Sequence, residues 1–269
     1  MPFVPALSVP EVAAVLATHG LTALSRIDGG GQGDVFLCDH TRNGRCVAKI
    51  FVPEARPRVD AEVGFLSAVR HPAIVRLLSF GDVPIRGTSS PFTVMEYVLG
   101  DSLRTRIDDG RLVGEAQAKR VVASVAGALD AMWQAGKVHR DIKPDNVLME
   151  DDGAAKLIDF GIVRHLDLPT MTVQGFAPGT RGYKSPEHDS AIRNPTFKAD
   201  VYSLGITVFE AMSGAHPFSG DQEAMTRGAV APDVGSLVTC SVGFAVLVGR
   251  MLHPRAVMRP ELDELMGVV

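Results

Sequence analysis

The spacing of apolar and polar positions changes along this chain, and the change divides it near residue 100. Ser8 stands three positions before Glu11, and Val9 to His19 is apolar on one face before Gly20, which predicts a capped helix ended by glycine. From Leu21 to Phe51, short runs of β-forming residues are broken by Gly29-Gly30-Gly31, Gly33 and Asn43-Gly44, the pattern of strands joined by hairpins. Val59, Val63, Leu66 and Val69 then recur at helical spacing up to His71-Pro72. Ile74 to Phe80 and Phe92 to Tyr97 predict two more strands, separated by a polar loop with Pro84, Gly87, Ser89 and Ser90. Beyond Gly100 the period is helical: Val121, Val125, Leu129 and Met132 form a stripe within Ala116 to Ala135, and Asp200 to Met212 is a second apolar segment of helical length. The expected architecture is α+β with two lobes. Residues 1–98 hold an extension helix and a small β-rich lobe with one main helix; residues 99–269 hold a connecting segment and a larger α-rich lobe, and the two form one domain.

Composition narrows the field of functions. The 269 residues are 46% hydrophobic, enough for a sizeable core. Lys and Arg number 27 against 31 Asp and Glu, a net charge of −4, so neither nucleic acid nor an anionic membrane is the expected partner. Cys38, Cys46 and Cys240 lack close metal-type spacing and read as reduced thiols, which implies a cytoplasmic protein. Met1 to Ala17 has no positive n-region and carries early prolines, unlike a secretory signal, and no apolar stretch approaches the ~20 residues of a membrane span. Oligomeric state is not legible.

The chemistry lies in four short motifs. Asp28-Gly29-Gly30-Gly31-Gln32-Gly33-Asp34-Val35 falls between two predicted strands, where glycines let backbone amides approach phosphate oxygens. Alone, such a turn is more often only a flexible hairpin. Lys49 follows on a strand, and Glu62 on the next helix can supply its counter-charge. His139-Arg140-Asp141-Ile142-Lys143-Pro144-Asp145-Asn146 is then followed, thirteen residues after Asn146, by Asp159-Phe160-Gly161.

Together these motifs resemble the protein-kinase signature set, in its Ser/Thr, bacterial-looking form, over about Leu21 to Arg259. The resemblance implies a two-lobed kinase fold and transfer of the γ-phosphoryl of ATP, with Mg²⁺ or Mn²⁺, to Ser/Thr hydroxyls of protein substrates. It implies that Asp141 takes the hydroxyl proton, that Lys143 neutralises the moving phosphoryl, that Lys49 and Glu62 hold the ATP phosphates, and that Asn146 and Asp159 ligate the metal. Gly30 and Gly33 would approach phosphate. Val35, Val47 and Leu148 would enclose adenine, with Met95 behind it and Glu96 to Val98 as the hinge. Thr180 would brace Asp141 and Lys143, while Glu187, Asp200 and Arg259 would be structural, and Leu66, Leu77, His139 and Phe160 would form an apolar stack. A lysine at position 143 favours the Ser/Thr class over the tyrosine class.

Two residues depart from the family pattern: Asp28 replaces a glycine near the phosphate site, and Val47 replaces the usual alanine above adenine. Two rival readings remain, a nucleotide-binding scaffold without transfer and a small-molecule phosphotransferase. Between Ile162 and Pro178 the hydroxyl residues are Thr170 and Thr172. Arg58, Arg140 and Arg164 resemble the family's basic cluster for a phosphorylated activation loop, so autophosphorylation on these threonines is expected. Phe176 stands where many relatives carry that threonine, and Ile162 resembles the β-branched residue that accompanies threonine acceptors.

Overall fold

The computed structural model describes residues 2–30, 33–151, 153–160, 164–165, 179–188 and 196–269. Thr170, Thr172, Gly161, Ile162 and Phe176 lie outside the described residues. The chain divides into two compact units, residues 1–70 with 75–98, and residues 71–74 with 99–269.

The first unit is an antiparallel sheet with two helices packed against it. Strands β1 (Leu21–Gly30), β2 (Gly33–His40), β3 (Gly44–Phe51), β4 (Leu77–Ile85) and β5 (Thr88–Glu96) run in the order β1-β2-β3-β5-β4. Alternation along the strands decides what each face carries. Phe36, Cys38, Cys46, Ala48, Ile50, Phe92 and Val94 turn to one side and are buried with Leu7, Val12 and Leu16, the last two on α1 (Val9–Ala17). That helix begins where the Ser8 amide donates to Glu11 Oε2 at 3.3 Å and ends at Ala17, and the chain then turns at Gly20, with φ +73°. Lys49 and Val47 turn to the other side, in register with Val35 and Leu37 on β2 and with Thr93 and Met95 on β5. The helix α2 (Arg56–Ala68) packs against β4 and β5.

Several details differ from the pattern-based expectation, beginning with β4, which starts at Leu77 rather than Ile74. The polar stretch 84–91 is not a loop: β4 and β5 continue through it to the pair Ile85 and Thr88, closed by Arg86 and Gly87 at φ +49° and +78°. Two successive left-handed residues make the tight turn whose twist suits a hairpin. The α2 helix also starts three residues before Val59, with Pro57 in its first turn, where a missing N–H costs nothing.

The second unit is helical. It comprises β6 (Asp101–Ser102), α3 (Leu103–Asp108), α4 (Glu115–Gln134), β7 (Lys137–Val138), β8 (Val147–Met149), β9 (Ala155–Leu157), β10 (Arg164–His165), α5 (Phe197–Ser213), α6 (Gln222–Thr226), α7 (Val242–Met251) and α8 (Leu262–Met266). The α5 helix is buried from Lys198 to Met212, and α3, α4 and α7 pack around it. Among the described residues no helix is long and apolar enough to cross a membrane.

Candidate active site

The segment between β7 and β8 is held by the first turn of α5. Asp200, 1% exposed, accepts from the His139 amide at 2.8 Å with one oxygen and from the Arg140 amide at 2.7 Å with the other. These bonds fix a backbone in which Arg140 takes φ +70°, a conformation that non-glycine residues rarely adopt. The His139 ring is buried and meets the Phe160 ring edge-on at 5.1 Å, and its Nδ1 accepts from the Asp141 amide at 3.3 Å. Burial lowers the His139 pKa against the opposing pull of Asp200, Asp141 and Asp159, so the ring is neutral near pH 7 and serves as a packed acceptor.

Asp141 stands at the centre of the polar contacts. Its Oδ1 accepts from the Thr180 amide at 2.8 Å and from Thr180 Oγ1 at 2.7 Å. Its Oδ2 accepts from Asn146 Nδ2 at 3.1 Å and lies 3.4 Å from Lys143 Nζ, which also donates to Thr180 Oγ1 at 2.8 Å. Asn146 Nδ2 donates as well to the Asp141 carbonyl at 2.8 Å, so its amide nitrogen is committed to Asp141 and its Oδ1 is the donor atom left for a ligand. The structure thus brings Asp141, Lys143, Asn146 and Thr180 together.

Thr180 reaches Asp141 because Gly179 precedes it. Gly179 has φ +109°, and a Cβ there would lie 2.7 Å from the Arg140 carbonyl. Asp159 follows β9, and the Ile158 amide beside it donates to the Asn146 carbonyl at 3.2 Å. Asn146 Oδ1 and the Asp159 carboxylate are hard oxygen donors that suit Mg²⁺, a cation that takes one or two protein ligands and fills its shell with phosphate and water. Among the described residues no group of three His, Cys, Asp or Glu side chains converges as a self-contained metal cage.

Glu187 and Arg259 form a two-pronged pair, Oε1 to Nη1 at 2.6 Å and Oε2 to Nη2 at 2.8 Å, with the guanidinium 4.7 Å above the Tyr202 ring. Burial pushes the Glu187 pKa up, but the bonds from Arg259 outweigh it and hold the carboxyl below its usual range. Leu148 is half-buried on β8. The Arg164 backbone pairs with Val138, two positions before Arg140, which is 8% exposed.

In the first unit Lys49 lies on β3, its Nζ 4.9 Å from the Phe51 ring centre, and Glu62 is 1% exposed on α2. Val35 and Val47 are half-buried, while Met95 and Val98 are buried. Glu96 ends β5 and accepts from the Arg76 amide at 3.1 Å. Arg58 is exposed on α2, and Leu66 and Leu77 belong to this unit. Gly30 pairs in register with Gly33. The bare backbone of Gly33 has a packing reason: a Cβ would stand 2.1 Å from the Ile50 carbonyl on β3. Asp28 is exposed, and its carboxylate accepts from the Gly29 amide at 2.7 Å.

A second polar cluster escaped the sequence reading. Tyr183 donates to Glu210 at 2.5 Å, and Arg104 donates to both at 2.8 and 2.9 Å. Gln222 braces the same segment through the Gly182 amide and the Lys184 carbonyl. Its sequence signal was weak: a glutamate near the end of the mostly apolar α5 run.

These contacts define a class, and comparison agrees with it: the chain matches the protein kinase domain family over residues 21–267 and belongs to that family. It is 32% identical over 221 residues to the serine/threonine-protein kinase PknD of Mycobacterium tuberculosis, a match covering 80% of this chain and 32% of that protein. It is 33% identical over 204 residues to a probable serine/threonine-protein kinase PknB of Corynebacterium glutamicum, covering 72% and 31%. With the serine/threonine-protein kinase PknA of Mycobacterium bovis it shares 34% over 204 residues, covering 71% and 46%. The chain spans about a third of the length of the first two relatives.

Proposed function

We propose that this chain is the catalytic domain of a protein Ser/Thr kinase that moves the γ-phosphoryl of ATP to Ser or Thr hydroxyls of protein substrates. The observation that carries the reading is the state of Asp141: both carboxylate oxygens are oriented, one by Thr180 and one by Asn146 and Lys143. Phosphoryl transfer needs little covalent help from a protein, so positioning and charge neutralisation dominate. Asp141 takes the substrate hydroxyl proton as the new O–P bond forms and the bond to the ADP oxygen breaks. Lys143 offsets charge on the moving phosphoryl. Asn146 and Asp159 would hold Mg²⁺ or Mn²⁺, which when bound neutralises the phosphates. In the first unit, the sheet face with Val35, Val47, Lys49 and Met95 takes the nucleotide, with Glu62 orienting Lys49. Glu96 and Val98 meet the adenine edge.

The test is transfer of label from ATP with Mg²⁺ to a generic basic protein, comparing the parent chain with Asp141→Asn and Asp159→Asn. Each variant should lose at least about a hundredfold in turnover, the scale of one transition-state contact, with parental thermal unfolding. Near-parental turnover in either would overturn the site. A nucleotide-binding scaffold would instead bind ATP with no transfer by the parent. A small-molecule phosphotransferase would consume ATP only with a low-molecular-weight hydroxyl acceptor.

A further inference from the structure

Asp34 is the first residue of β2 after Gly33, and it lies on the buried row with Phe36 and Cys38, the face covered by α1. It is 3% exposed. A carboxylate at such a position is costly unless every oxygen is paired. Here Oδ2 accepts from the Leu7 amide at 2.8 Å, and Oδ1 accepts from Arg26 Nε at 2.9 Å and Nη2 at 2.6 Å. The Leu7 side chain is itself 1% exposed in the same core, so residue 7 is held at both its amide and its side chain.

The opposite wall of this pair is Gly29. A Cβ there would stand 1.8 Å from Arg26 Nη2 and 2.3 Å from Asp34 Oδ1, so the ion pair lies directly against the bare backbone of the first glycine. A register irregularity in β1 between Arg26 and Asp28 accompanies this placement, and such bulges re-aim side chains. Arg26, Gly29 and Asp34 therefore join the two strands at the base of the glycine-rich hairpin, and Leu7 ties that base to the N-terminal segment. The whole assembly lies on the sheet face opposite Lys49, because Asp34 and Val35 alternate.

We propose that Asp34 is a positioning residue of the glycine-rich hairpin: with Arg26 and the Leu7 amide it sets the hairpin's geometry from the face opposite Lys49, making nucleotide affinity depend on the N-terminal segment. The proposal rests on the reading that this hairpin receives the ATP phosphates. Asp34 touches no reacting atom; it acts by fixing where the backbone amides stand. Gly29, on this account, is present for the ion pair.

The experiment measures kcat and KM for Mg-ATP with a generic basic protein, and the dissociation constant of a fluorescent ATP analogue. The chains are the parent, Asp34→Ala, Asp34→Asn, Gly29→Ala, the Gly29→Ala/Asp34→Ala double variant, and Asp39→Ala. Asp34→Ala and Gly29→Ala should each raise KM and the dissociation constant about tenfold, with kcat at saturating ATP within about twofold of the parent. The double variant should be no worse than the weaker-binding single one, because both changes break one contact. Asp34→Asn keeps an oxygen for the Leu7 amide and loses the charge facing Arg26, so it should fall between. Asp39→Ala, also on β2, removes an exposed pair with Arg45 on the neighbouring β3 and should leave KM unchanged. Parental nucleotide affinity in folded Asp34→Ala and Asp34→Asn overturns the proposal, as does a double effect equal to the product of the single ones. If Asp34→Ala fails to fold, Asp34→Asn decides. A parent that binds the analogue without transferring phosphate defeats the kinase reading alone, and the affinity comparison still decides the role of Asp34. A parent that binds no nucleotide defeats both.

Discussion

At Asp141 the donors have already chosen the geometry, and one glycine makes that choice available. Thr180 supplies two of the bonds, and it can do so only while the Gly179 backbone passes within contact of the Arg140 carbonyl at φ +109°. Gly179→Ala brings a Cβ to 2.7 Å from that carbonyl and adds the cost of a left-handed alanine, ~1–3 kcal/mol for a strained residue. The segment can relieve this by moving Thr180 away from Asp141. Turnover should therefore fall by more than about tenfold while KM for ATP changes little, since the lost contact orients the base and leaves nucleotide contacts alone. Steady-state kinetics with the parent as reference checks this, and parental kcat would show that Thr180 is not needed to hold Asp141. At this scale the legible residues were those whose chemistry demands a residue type at short spacing, as with Asp141, Lys143 and Asn146. The Arg104 and Glu210 contact was hidden because its partners stand 106 positions apart, and Asp34 because its donors lie 27 and eight positions away.

Elements were read well where the hydrophobic period is long and less well where short polar residues fill a strand. The stripe Val121 to Met132 predicted α4 to within a residue or so at each end. Pro84, Ser89 and Ser90 concealed a hairpin because their polarity suggests a loop, while the turn geometry at Arg86 and Gly87 decides the matter. Ser90 is in fact fully buried. The join between the turn Pro186–His188 and the C-terminal segment depends on one ion pair, and this gives a pH signature. Arg259 has no exposed side-chain surface, and it also donates to the carbonyls of His253, Lys198 and Pro254. Because the Glu187 pKa is depressed in the folded chain, its contribution is full above the ordinary value of 4.5 and is lost as pH falls through the folded value. Glu187→Gln leaves a buried guanidinium without its counter-charge, at a cost of about 3 kcal/mol near pH 7. Thermal unfolding of parent and variant should differ most near neutrality and converge as the pH falls below the ordinary carboxyl value of 4.5 and on through the depressed folded value. A difference that stays constant as the pH falls to the point where the Glu187 carboxyl is protonated in both states would show that its charge is not what stabilises the join.

For the molecule as a whole, the α+β class and the family were legible because the motifs occur in family order and because the hydrophobic period changes from strand-like to helical near residue 100. The covering by α1 of the sheet face that carries Phe36 and Ile50 was not, since a predicted helix carries no indication of which surface it packs on. Activation is the question that belongs to this scale. The run from residue 162 to 178 carries two hydroxyl side chains, Thr170 and Thr172. Within it the Arg164 backbone pairs with Val138, two residues before Arg140. A phosphothreonine brings about −2 charge and forms one to three charge-assisted hydrogen bonds with guanidinium groups. Arg140 is suited to that role in the second unit, and Arg58 on α2 lies one helical turn before Glu62. We therefore expect autophosphorylation on Thr170 or Thr172, with faster transfer to substrates bearing threonine than to serine-substituted copies. The competing account is that Asp167 and other carboxylates neutralise these arginines permanently, in which case phosphate would add nothing. Mass spectrometry of the chain incubated with Mg-ATP should find phosphate on one of the two threonines and none in the Asp159→Asn variant. The Thr170→Ala/Thr172→Ala double variant should lose about tenfold or more in turnover, the scale of one lost set of charge-assisted bonds. Full activity of that variant would leave the kinase reading intact and show that this chain is switched on by some means other than phosphate in residues 162–178.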